Sequence, residues 1–178
     1  RFIHLSYADD LALDNSEEIK DIVTSEAYQD LYGINIKKDS KAKKKWYTDE
    51  GGGVYATSAG GQVTGFGAGK VDEEGDAIDF INEAKFGGAI VIDDPIKPED
   101  ADSPIVRDRV NNRFDSTIRN RVNSRNTPII IIMQRLHEDD ICGHLIKNEP
   151  NKWEVINMPC IKEDGLPLWE FKHTLEEL

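Results

Sequence analysis

The chain has 178 residues, the size of one ordinary domain and enough to bury a hydrophobic core. Its 22 Lys and Arg against 34 Asp and Glu give a formal net charge of −12. This argues against a protein that coats nucleic acid but leaves contact through a local basic patch open. No apolar run is long enough to span a membrane, and the two cysteines, Cys142 and Cys160, form neither a CxxC pair nor a disulfide framework.

The first predicted elements are a strand and a helix. Residues 2–7 (FIHLSY) predict the strand. Asn15, with Glu18 three residues later, predicts the N-cap of the helix, and Gly33 suits its C-terminal end. Between them, apolar residues recur at helical spacing, namely Ile19, Ile22, Val23, Ala27 and Leu31.

Three segments without strong periodicity follow. Residues 37–45 (KKDSKAKKK) predict a polar, basic loop. A solvated surface is the plain interpretation of this loop, and contact with a phosphate backbone is the alternative. Residues 46–70 are rich in glycine and predict hairpins or a meander, and residues 71–79 predict an acidic surface turn.

A short apolar run at residues 89–92 ends abruptly at Asp93 and Asp94, as in a strand that is buried on both faces. Ser103 followed by Pro104 predicts the start of a long helix. Arginines occupy most faces of this helix. Its single apolar stripe, which repeats every four residues, consists of Val106, Val110, Phe114, Ile118 and Val122.

Residues 128–133 (PIIIIM) predict a second buried strand, 138–147 a shorter helix, and 153–158 (WEVINM) a further strand. Residues 165–178 have the character of a linker. Strands that alternate with helices predict an α/β fold with a mostly parallel sheet flanked by helices. In such sheets ligands bind outside the carboxyl ends of the strands, so the residues after each buried strand form the candidate site.

Asp93 and Asp94 complete the pattern of a Walker B segment, in which four apolar residues precede two acids. A buried strand holds its last residue rigidly, and a carboxylate there binds magnesium, usually through water. Asp93 is therefore the candidate magnesium ligand, and Asp94 is the candidate catalytic group that orients or deprotonates the attacking water. The alternative is a strand that ends in a polar turn, because Asp-Pro commonly starts turns.

Gln134 and Arg135 follow the next buried strand and are further candidate catalytic residues. A polar side chain at this place senses the γ-phosphate of a nucleotide, and an arginine neutralises charge in the transition state. In the alternative, Arg135 pairs with a nearby acid in the first turn of the next helix, where the helix dipole favours negative charge. The acids in question are Glu138, Asp139 and Asp140.

Two apparent motifs fail on their spacing. Residues 64–70 (TGFGAGK) resemble a phosphate loop, but Thr64 replaces the first glycine of G-x-x-x-x-G-K-[ST] and Val71 replaces the final hydroxyl residue. His137 does not start an HExxH zinc motif, because Ile141 occupies the position of the second histidine.

Together and in this order, the segments resemble one protein family, the large terminase subunits of tailed bacteriophages and prophages. The glycine-rich pattern of residues 60–68, Tyr7-Ala8 and Leu168-Trp169 also fit that family, so the resemblance covers nearly the whole chain. The main segments that carry it are IVIDDPIK at 90–97, ADS at 101–103, the arginine-bearing helix, IIIMQRLHEDDICGHL at 130–145, and WEVINMP at 153–159.

The resemblance implies an ATP-hydrolysing motor with a P-loop NTPase core of the RecA-like (ASCE) type and with ATP and Mg²⁺ as cofactors. It implies double-stranded DNA, a small terminase subunit and a portal protein as partners. It also implies a homo-oligomeric ring at the procapsid portal, in the cytoplasm of the infected bacterium. By this resemblance Asp93 is the Walker B magnesium acid, Asp94 the catalytic acid and Gln134 the coupling residue.

The same resemblance divides the chain. Residues 1–163 correspond to the part of the ATPase domain that follows the P-loop, and residues 164–178 to a linker toward a nuclease domain of ribonuclease-H-like fold. The Walker A loop is absent from the sequence, and the chain opens on Arg1. We therefore expect a fragment whose phosphate loop lies upstream and which hydrolyses little or no ATP alone.

Two further departures from the family concern arginines and length. Phe66 stands where the family often has a basic residue, so no arginine finger is assigned there. Residues 71–88 form an insertion longer than the resemblance leads us to expect. Candidates for a trans-acting arginine, or equally for a solvated helix face, are Arg119, Arg121 and Arg125.

Three other functions remain open from the sequence. Asp93 and Asp94, joined by Asp139 or Asp140, fit a metal-dependent nuclease, whose two-metal site needs converging carboxylates. The same fold suits a helicase-like ATPase with a second RecA-like domain. The chain also fits a non-catalytic module that docks a partner.

Overall fold

The sheet is built from strands that are far apart in the sequence. The structure, a computed structural model, describes residues 1–40, 42–70 and 86–178, so the predicted turn at 71–79 and most of the insertion lie outside the described residues. The elements in chain order are β1 (Phe2–Ser6), α1 (Asp9–Thr24), α2 (Glu26–Tyr32), β2 (Lys45–Tyr47), β3 (Gly53–Ser58), β4 (Ile90–Asp93), a 3₁₀ turn (Pro98–Asp100), α3 (Pro104–Arg113), a π turn (Phe114–Ile118), a second 3₁₀ turn (Arg119–Arg121), β5 (Ile129–Ile132) and α4 (Ile141–Asn148).

The strands lie in the order β2–β3–β1–β4–β5. β2 and β3 form an antiparallel hairpin, and the remaining neighbours are parallel, which confirms the predicted α/β fold with a mostly parallel sheet. The register aligns the carboxyl ends of the four parallel strands. Ser6 lies opposite both Ser58 and Asp93, and Asp93 lies opposite Ile132.

Side-chain alternation gives the sheet two different faces. One face carries the nearly fully buried Ile3, Leu5, Ile90 and Ile92. The other face, here called the α1 face, carries His4, Ser6, Val91 and Asp93. Helix α1 packs against this second face, because the Asn15 amide lies 3.1 Å from His4 Nε2 and Ser16 Oγ accepts a 3.0 Å hydrogen bond from Trp46 Nε1.

A small apolar cluster joins the helices to the β2–β3 hairpin. The Trp46 side chain lies at its centre, and the indole N–H is satisfied by Ser16 Oγ, which in turn donates to the Lys43 carbonyl at 2.7 Å. Buried polar groups in this cluster are therefore paired, as stability requires. The cluster consists of Val23, Trp46 and Val54, with Tyr28 and Ile36 packed against it.

Helix α1 begins at Asp9, after Ala8, so the prediction of Asn15 as an N-cap was wrong. The real start has no side-chain cap, and its two first-turn acids interact favourably with the helix dipole instead. Asn15 lies inside the helix, where its side chain faces the sheet. The helix also breaks at Ser25, whose extended backbone has ψ 149°, whereas the predicted end at Gly33 is confirmed by a φ of 63°.

Of the five apolar residues at helical spacing, only Val23 lies on the buried side of α1 and α2. Ile22 and Leu31 are 59% and 75% exposed, while Ala12 and Ser16 are completely buried. Small side chains allow the helix backbone to approach the sheet closely. The periodic pattern therefore predicted the existence of the helix correctly but not which side of it is buried.

Helix α3 starts at Pro104 after Ser103, as predicted, although Ser103 makes no side-chain cap. The helical path continues through the π turn and the second 3₁₀ turn and ends at Arg121. Phe114 and Ile118 of the predicted stripe are buried. Arg107, one of the arginines outside the apolar stripe, is only 8% exposed and donates to the Ala101 carbonyl at 2.6 Å.

Strand β5 was predicted correctly, but it lies at the edge of the sheet and is not buried on both sides. Ile130 and Ile132, on the α1 face, are 43% and 55% exposed. The strand predicted at residues 153–158 is absent from the described structure, and Val155 and Ile156 are 61% and 76% exposed. A segment of alternating polarity becomes a strand only where its backbone can form hydrogen bonds with a neighbouring strand. Residues 153–158 pair with no strand in the described chain.

The chain divides into two compact units, Arg1–His144 and Leu145–Leu178. Beyond the end of α4, the described part of the second unit has turns and an isolated bridge between Ile161 and Pro167. The boundary after residue 163 stays a prediction. Among the described helices, none combines the length and the apolar character that crossing a membrane requires.

Replacing Phe114 by alanine tests the packing of the π turn. Phe114 is fully buried, so its loss leaves a cavity, and we expect the free energy of unfolding to fall by about 3–5 kcal/mol in urea denaturation. The matched control is Phe171→Ala, at a side chain that is 93% exposed, with an expected change below about 0.5 kcal/mol. Equal losses in the two variants would contradict this packing.

Candidate functional site

The carboxyl edge of the parallel strands is the place where this topology allows a ligand to bind. β1 is central, and the chain runs from it to β3 on one side and then to β4 on the other. A crevice forms at such a switch point, because the connections that leave the strand ends diverge there. The strand ends at this crevice carry Ser58, Ser6 and Asp93.

Asp93 is the last residue of β4 and lies on the α1 face. Its Oδ2 atom is 3.5 Å from Asn15 Nδ2, and the same nitrogen is 3.1 Å from His4 Nε2. The amide of Asn15 thus lies between an acid from β4 and an imidazole from β1. Within the described residues, the contact with Asn15 is the one hydrogen bond of the Asp93 carboxylate.

His4 is 8% exposed, and its protonation state follows from that burial. Burial lowers the pKa of His4 below its usual value, and the negative charge of Asp93 opposes this shift. A neutral imidazole with an unprotonated Nε2 accepts the hydrogen bond from the Asn15 amide. His4 therefore positions Asn15 and contributes no positive charge beside Asp93 at neutral pH.

Asp94 has a backbone φ of 43°, in the left-handed region that side chains other than glycine seldom adopt. Two backbone hydrogen bonds of 2.9 Å hold it there, one from its N–H to the Ile132 carbonyl and one from the Tyr7 N–H to its own carbonyl. Its half-buried carboxylate has no hydrogen bond or ion pair within the described residues. Strain of this kind concentrates at functional sites.

Ser6 adds a second polar group beside Asp93. The serine is fully buried, lies opposite Asp93 in the sheet, and its Oγ has no hydrogen-bond partner in the described chain. A buried hydroxyl without a partner calls for water, an ion or a ligand atom. Carboxylate and hydroxyl oxygens suit magnesium, which commonly keeps several waters and takes only one or two carboxylates from the protein.

Asp93 and Ser6 are the described residues that could take part in holding magnesium at this edge. No cluster of three or more His, Cys, Asp or Glu suited to a metal occurs in the part of the chain that the structure describes. A magnesium ion here would need most of its ligands from water or from a bound ligand.

Asp9 connects the start of α1 to the end of β3. Its Oδ1 accepts hydrogen bonds from the Ser58 N–H at 2.7 Å and from Thr57 Oγ1 at 2.9 Å. The bond from the Ser58 backbone, followed by that from Thr57, lowers the pKa of Asp9 below its usual value. The carboxylate thus fixes the loop between β1 and α1, which forms one wall of the crevice.

Gln134 and Arg135 lie two and three residues beyond the end of β5, at the same edge of the sheet as Asp93. Both are exposed, and neither makes a hydrogen bond or ion pair with Asp93 or Asp94 in the described structure. The structure therefore places Gln134 and Arg135 at the same edge of the sheet as the two aspartates, but without direct contacts between the two pairs. The Gln134 side chain makes no hydrogen bond with any described residue.

Arg135 is paired with Asp140, as the sequence alternative proposed. Arg135 Nε lies 3.0 and 2.9 Å from the two oxygens of the Asp140 carboxylate. That carboxylate is almost fully buried and also accepts from the backbone N–H groups of Leu136, His137 and Gly143. The last of these bonds gives Asp140 the geometry of an N-cap for α4. Asp140 is thus occupied in organising this loop.

The glycine-rich segment before the insertion is a structural loop. Its Ala68 N–H donates to the Arg121 carbonyl, and its Ala68 carbonyl accepts from Asn123 N–H, both at 2.7 Å. The Arg113 guanidinium donates to the carbonyls of Ala59 and Gly61. These bonds connect the segment to α3 and to the region that follows it, while the rejection of residues 64–70 as a phosphate loop stays a prediction from the motif spacing.

The sequence analysis missed four residues of this site, namely His4, Ser6, Asp9 and Asn15. The signal for two of them was present, because His4 and Ser6 are polar residues at alternate positions of an otherwise apolar strand. Polar residues at alternate positions lie on one face of a strand. When that strand is buried, their polar groups need hydrogen-bond partners or a ligand. The tertiary roles of Asp9 and Asn15 had no local signal.

The chain was compared with protein-family models, with curated proteins and with solved structures. No family model, curated protein or solved structure matches it. The candidate site therefore stands on the chemistry and geometry of its own residues.

Replacing Asp9 by asparagine tests the connection between α1 and β3. Because the pKa of Asp9 is depressed in the folded protein, the ionised carboxylate stabilises the fold. At neutral pH we expect Asp9→Asn to lower the free energy of unfolding by about 0.5–1 kcal/mol, a value reduced by the exposure of the carboxylate. The measurement is urea denaturation at a series of pH values.

The pH dependence gives the sharper outcome. The stabilisation is complete above the pKa of an unfolded aspartate, about 3.9, and is lost as the pH falls through the lower folded value. The difference between wild type and Asp9→Asn should therefore shrink on acidification. The control is Asp30→Asn, at an exposed aspartate. A difference that stays constant down to acid pH would show that the charge of Asp9 is irrelevant.

Proposed function

We propose that the chain is part of the ATP-hydrolysing motor of a bacteriophage large terminase, with Asp93 and Asp94 as its Walker B carboxylates. One observation carries the proposal. Asp94 is held in a strained backbone conformation at the switch point of a parallel sheet, directly after the acid that ends a buried strand, and its carboxylate has no partner in the described structure. Such placement suits a carboxylate that acts on a ligand.

The free side of β5 supports the same proposal. Its outer edge has no neighbouring strand in the described chain, and Ile130 and Ile132 are exposed on the α1 face beside Asp93. We propose that a strand, phosphate loop and helix from sequence outside residues 1–178 cover this edge and this face. Neighbouring strands are about 4.8 Å apart. A loop after the added strand would thus place its phosphates within about 10 Å of the end of β4.

The chain's own residues have distinct roles in this proposal. Asp93 would hold magnesium, and the unpartnered Ser6 Oγ beside it would add a second oxygen at the same place. When bound, magnesium would neutralise negative charge on the phosphates of the nucleotide. Asp94 orients the attacking water and receives its proton. Gln134 contacts the γ-phosphate side of the crevice and transmits its presence to β5. Arg135 stabilises the loop beyond β5 through Asp140 and provides positive charge beside the phosphates.

The proposed partners follow from the proposed function. They are double-stranded DNA as the translocated substrate, a small terminase subunit, a portal protein and further copies of the motor in a ring. The place of action is the procapsid portal in the cytoplasm of an infected bacterium. The nuclease alternative has less support in the geometry, because Asp140 is occupied by Arg135 and by three backbone N–H groups.

Asparagine substitutions at the two acids test the site in the full-length protein. Asn is isosteric with Asp and also tolerates a positive φ, so the strained backbone at residue 94 is preserved. We expect Asp94→Asn to bind ATP as wild type does but to hydrolyse it at least about 100-fold more slowly. We expect Asp93→Asn to lose hydrolysis and to need far more Mg²⁺ for nucleotide binding. Phosphate release and binding of a fluorescent ATP analogue provide the two measurements.

The control substitution is Asp102→Asn, at an exposed aspartate outside the crevice, which should leave both measurements unchanged. Wild-type hydrolysis by Asp94→Asn would rule out its catalytic role. The reading frame upstream of Arg1 gives an independent check. We expect a strand, G-x-x-x-x-G-K-[ST] or a close variant, and a helix within about 40 residues. An initiator methionine without such a loop would rule out the motor function.

A further inference from the structure

The densest run of lysines in this acidic chain lies in one short loop. Residues 37–45 contain six of the 22 Lys and Arg of the chain and a single acid, in a sequence with a net charge of −12. A local patch of this kind produces a positive potential that the net charge conceals. Binding to polyanions depends on such local patches, because it is driven by the release of counterions from the phosphates that are contacted.

The backbone gathers the described lysines of this run into one closed loop, here called the lysine loop and defined as residues 36–40 and 42–47. The Lys37 N–H donates to the Tyr47 carbonyl at 2.9 Å, and Ile36 forms an antiparallel bridge with Thr48. A turn inside the loop is closed by Ser40, whose N–H donates to the Lys37 carbonyl and whose Oγ accepts from Tyr47 N–H. The two ends of the loop are therefore neighbours.

Helix α1 holds the lysine loop against the body of the protein. Ser16 Oγ donates to the Lys43 carbonyl at 2.7 Å, and Lys20 Nζ donates to the Ser40 carbonyl at 2.8 Å. Trp46, beside the loop, is only 2% exposed. An ordered loop presents its charges with little further loss of conformational entropy on binding.

The lysines of the loop divide into two groups. Lys43 pairs with Glu17, and the Lys45 ammonium lies 5.5 Å from the centre of the Tyr47 ring, so both have partners within the protein. The other group is exposed and forms no ion pair with any described residue. It consists of Lys37, Lys38 and Lys44.

We propose that the lysine loop binds the phosphate backbone of duplex DNA through Lys37, Lys38 and Lys44. The geometry favours a duplex over a single strand, because single-strand binding sites stack bases on exposed aromatic rings, and in the described part of the loop Trp46 is buried and Tyr47 lies beneath Lys45. The same lack of exposed aromatic side chains disfavours insertion into a lipid surface. A phosphate backbone requires only exposed, mobile ammonium groups.

The test is the salt dependence of DNA binding by the full-length protein, with EDTA present so that the DNA stays intact. Affinity for a short fluorescein-labelled duplex is measured by fluorescence anisotropy from about 50 to 200 mM KCl. The test variant is Lys37→Gln/Lys38→Gln/Lys44→Gln. The slope of log K against log salt is negative, and each phosphate contact adds about 0.9 to its magnitude. We therefore expect the magnitude of the slope to decrease by about 3 in this variant.

The matched control is Arg109→Gln/Lys147→Gln/Lys152→Gln, which removes the same charge from exposed positions elsewhere and should keep the wild-type slope. An equal fall in both variants, or no fall in the lysine-loop variant, would overturn the proposal. So would a lysine-dependent preference for a single-stranded oligonucleotide, or for phosphatidylserine vesicles, over the duplex.

This inference does not depend on the carboxylate site. The lysine loop adjoins β2, at the opposite edge of the sheet from β5. Loss of ATP hydrolysis in Asp94→Asn, together with a lowered salt slope in the lysine-loop variant, would support both proposals. A lowered slope in the lysine-loop variant of a protein without ATPase activity would support the DNA surface alone, so the two failures are distinguishable.

Discussion

Two hydrogen bonds to the backbone of Asp94 hold the candidate site together. The Tyr7 N–H and the Ile132 carbonyl both bond to this residue, so β1, β4 and β5 have to end at the same level for its left-handed conformation to persist. A strained residue of this kind costs about 1–2 kcal/mol, which the parallel ladder on both sides offsets. The position of the acids is thus a property of the whole sheet and not of one loop.

The polar residues inside the sheet depend on the helix that covers them. Because α1 packs on this face of the central strand β1, His4 and Ser6 are almost completely removed from solvent. Asn15 satisfies His4 and also reaches toward Asp93, so a residue in the middle of a helix becomes part of the electrostatic surroundings of the acids. A buried neutral histidine, an amide and a hydroxyl leave the negative charge of the carboxylates largely uncompensated by protein.

Sequence patterns predicted the parts of this fold that local chemistry decides. Apolar runs located β1, β4 and β5, and the Asp93–Asp94 pair was recognised because two acids directly after such a run are visible without tertiary information. Gly33 and Ser103–Pro104 were equally local signals. The prediction failed at Asn15, because asparagine is common both as an N-cap and as a hydrogen-bonding residue inside a helix. Helix α1 begins earlier, at Asp9, and the Asn15 side chain contacts His4 of the sheet.

Other features were beyond sequence patterns because they depend on distant neighbours. Four consecutive isoleucines predict a buried strand, but whether both faces are covered depends on elements that the run does not specify. Alternation at residues 153–158 likewise predicts a strand only if an edge is available to it. The partner of Arg135 was decided by the fold of the loop that follows β5, in which Asp140 collects four hydrogen-bond donors.

The two edges of the sheet differ in how they resist self-association. The β2 edge carries Lys45 and adjoins further lysines, and charged side chains of this kind discourage pairing between molecules. The β5 edge consists of four isoleucines without a charge or a proline, so it is a template for another extended chain. Because no strand of the described chain pairs with the outer side of β5, this edge is where pairing between molecules meets the least resistance.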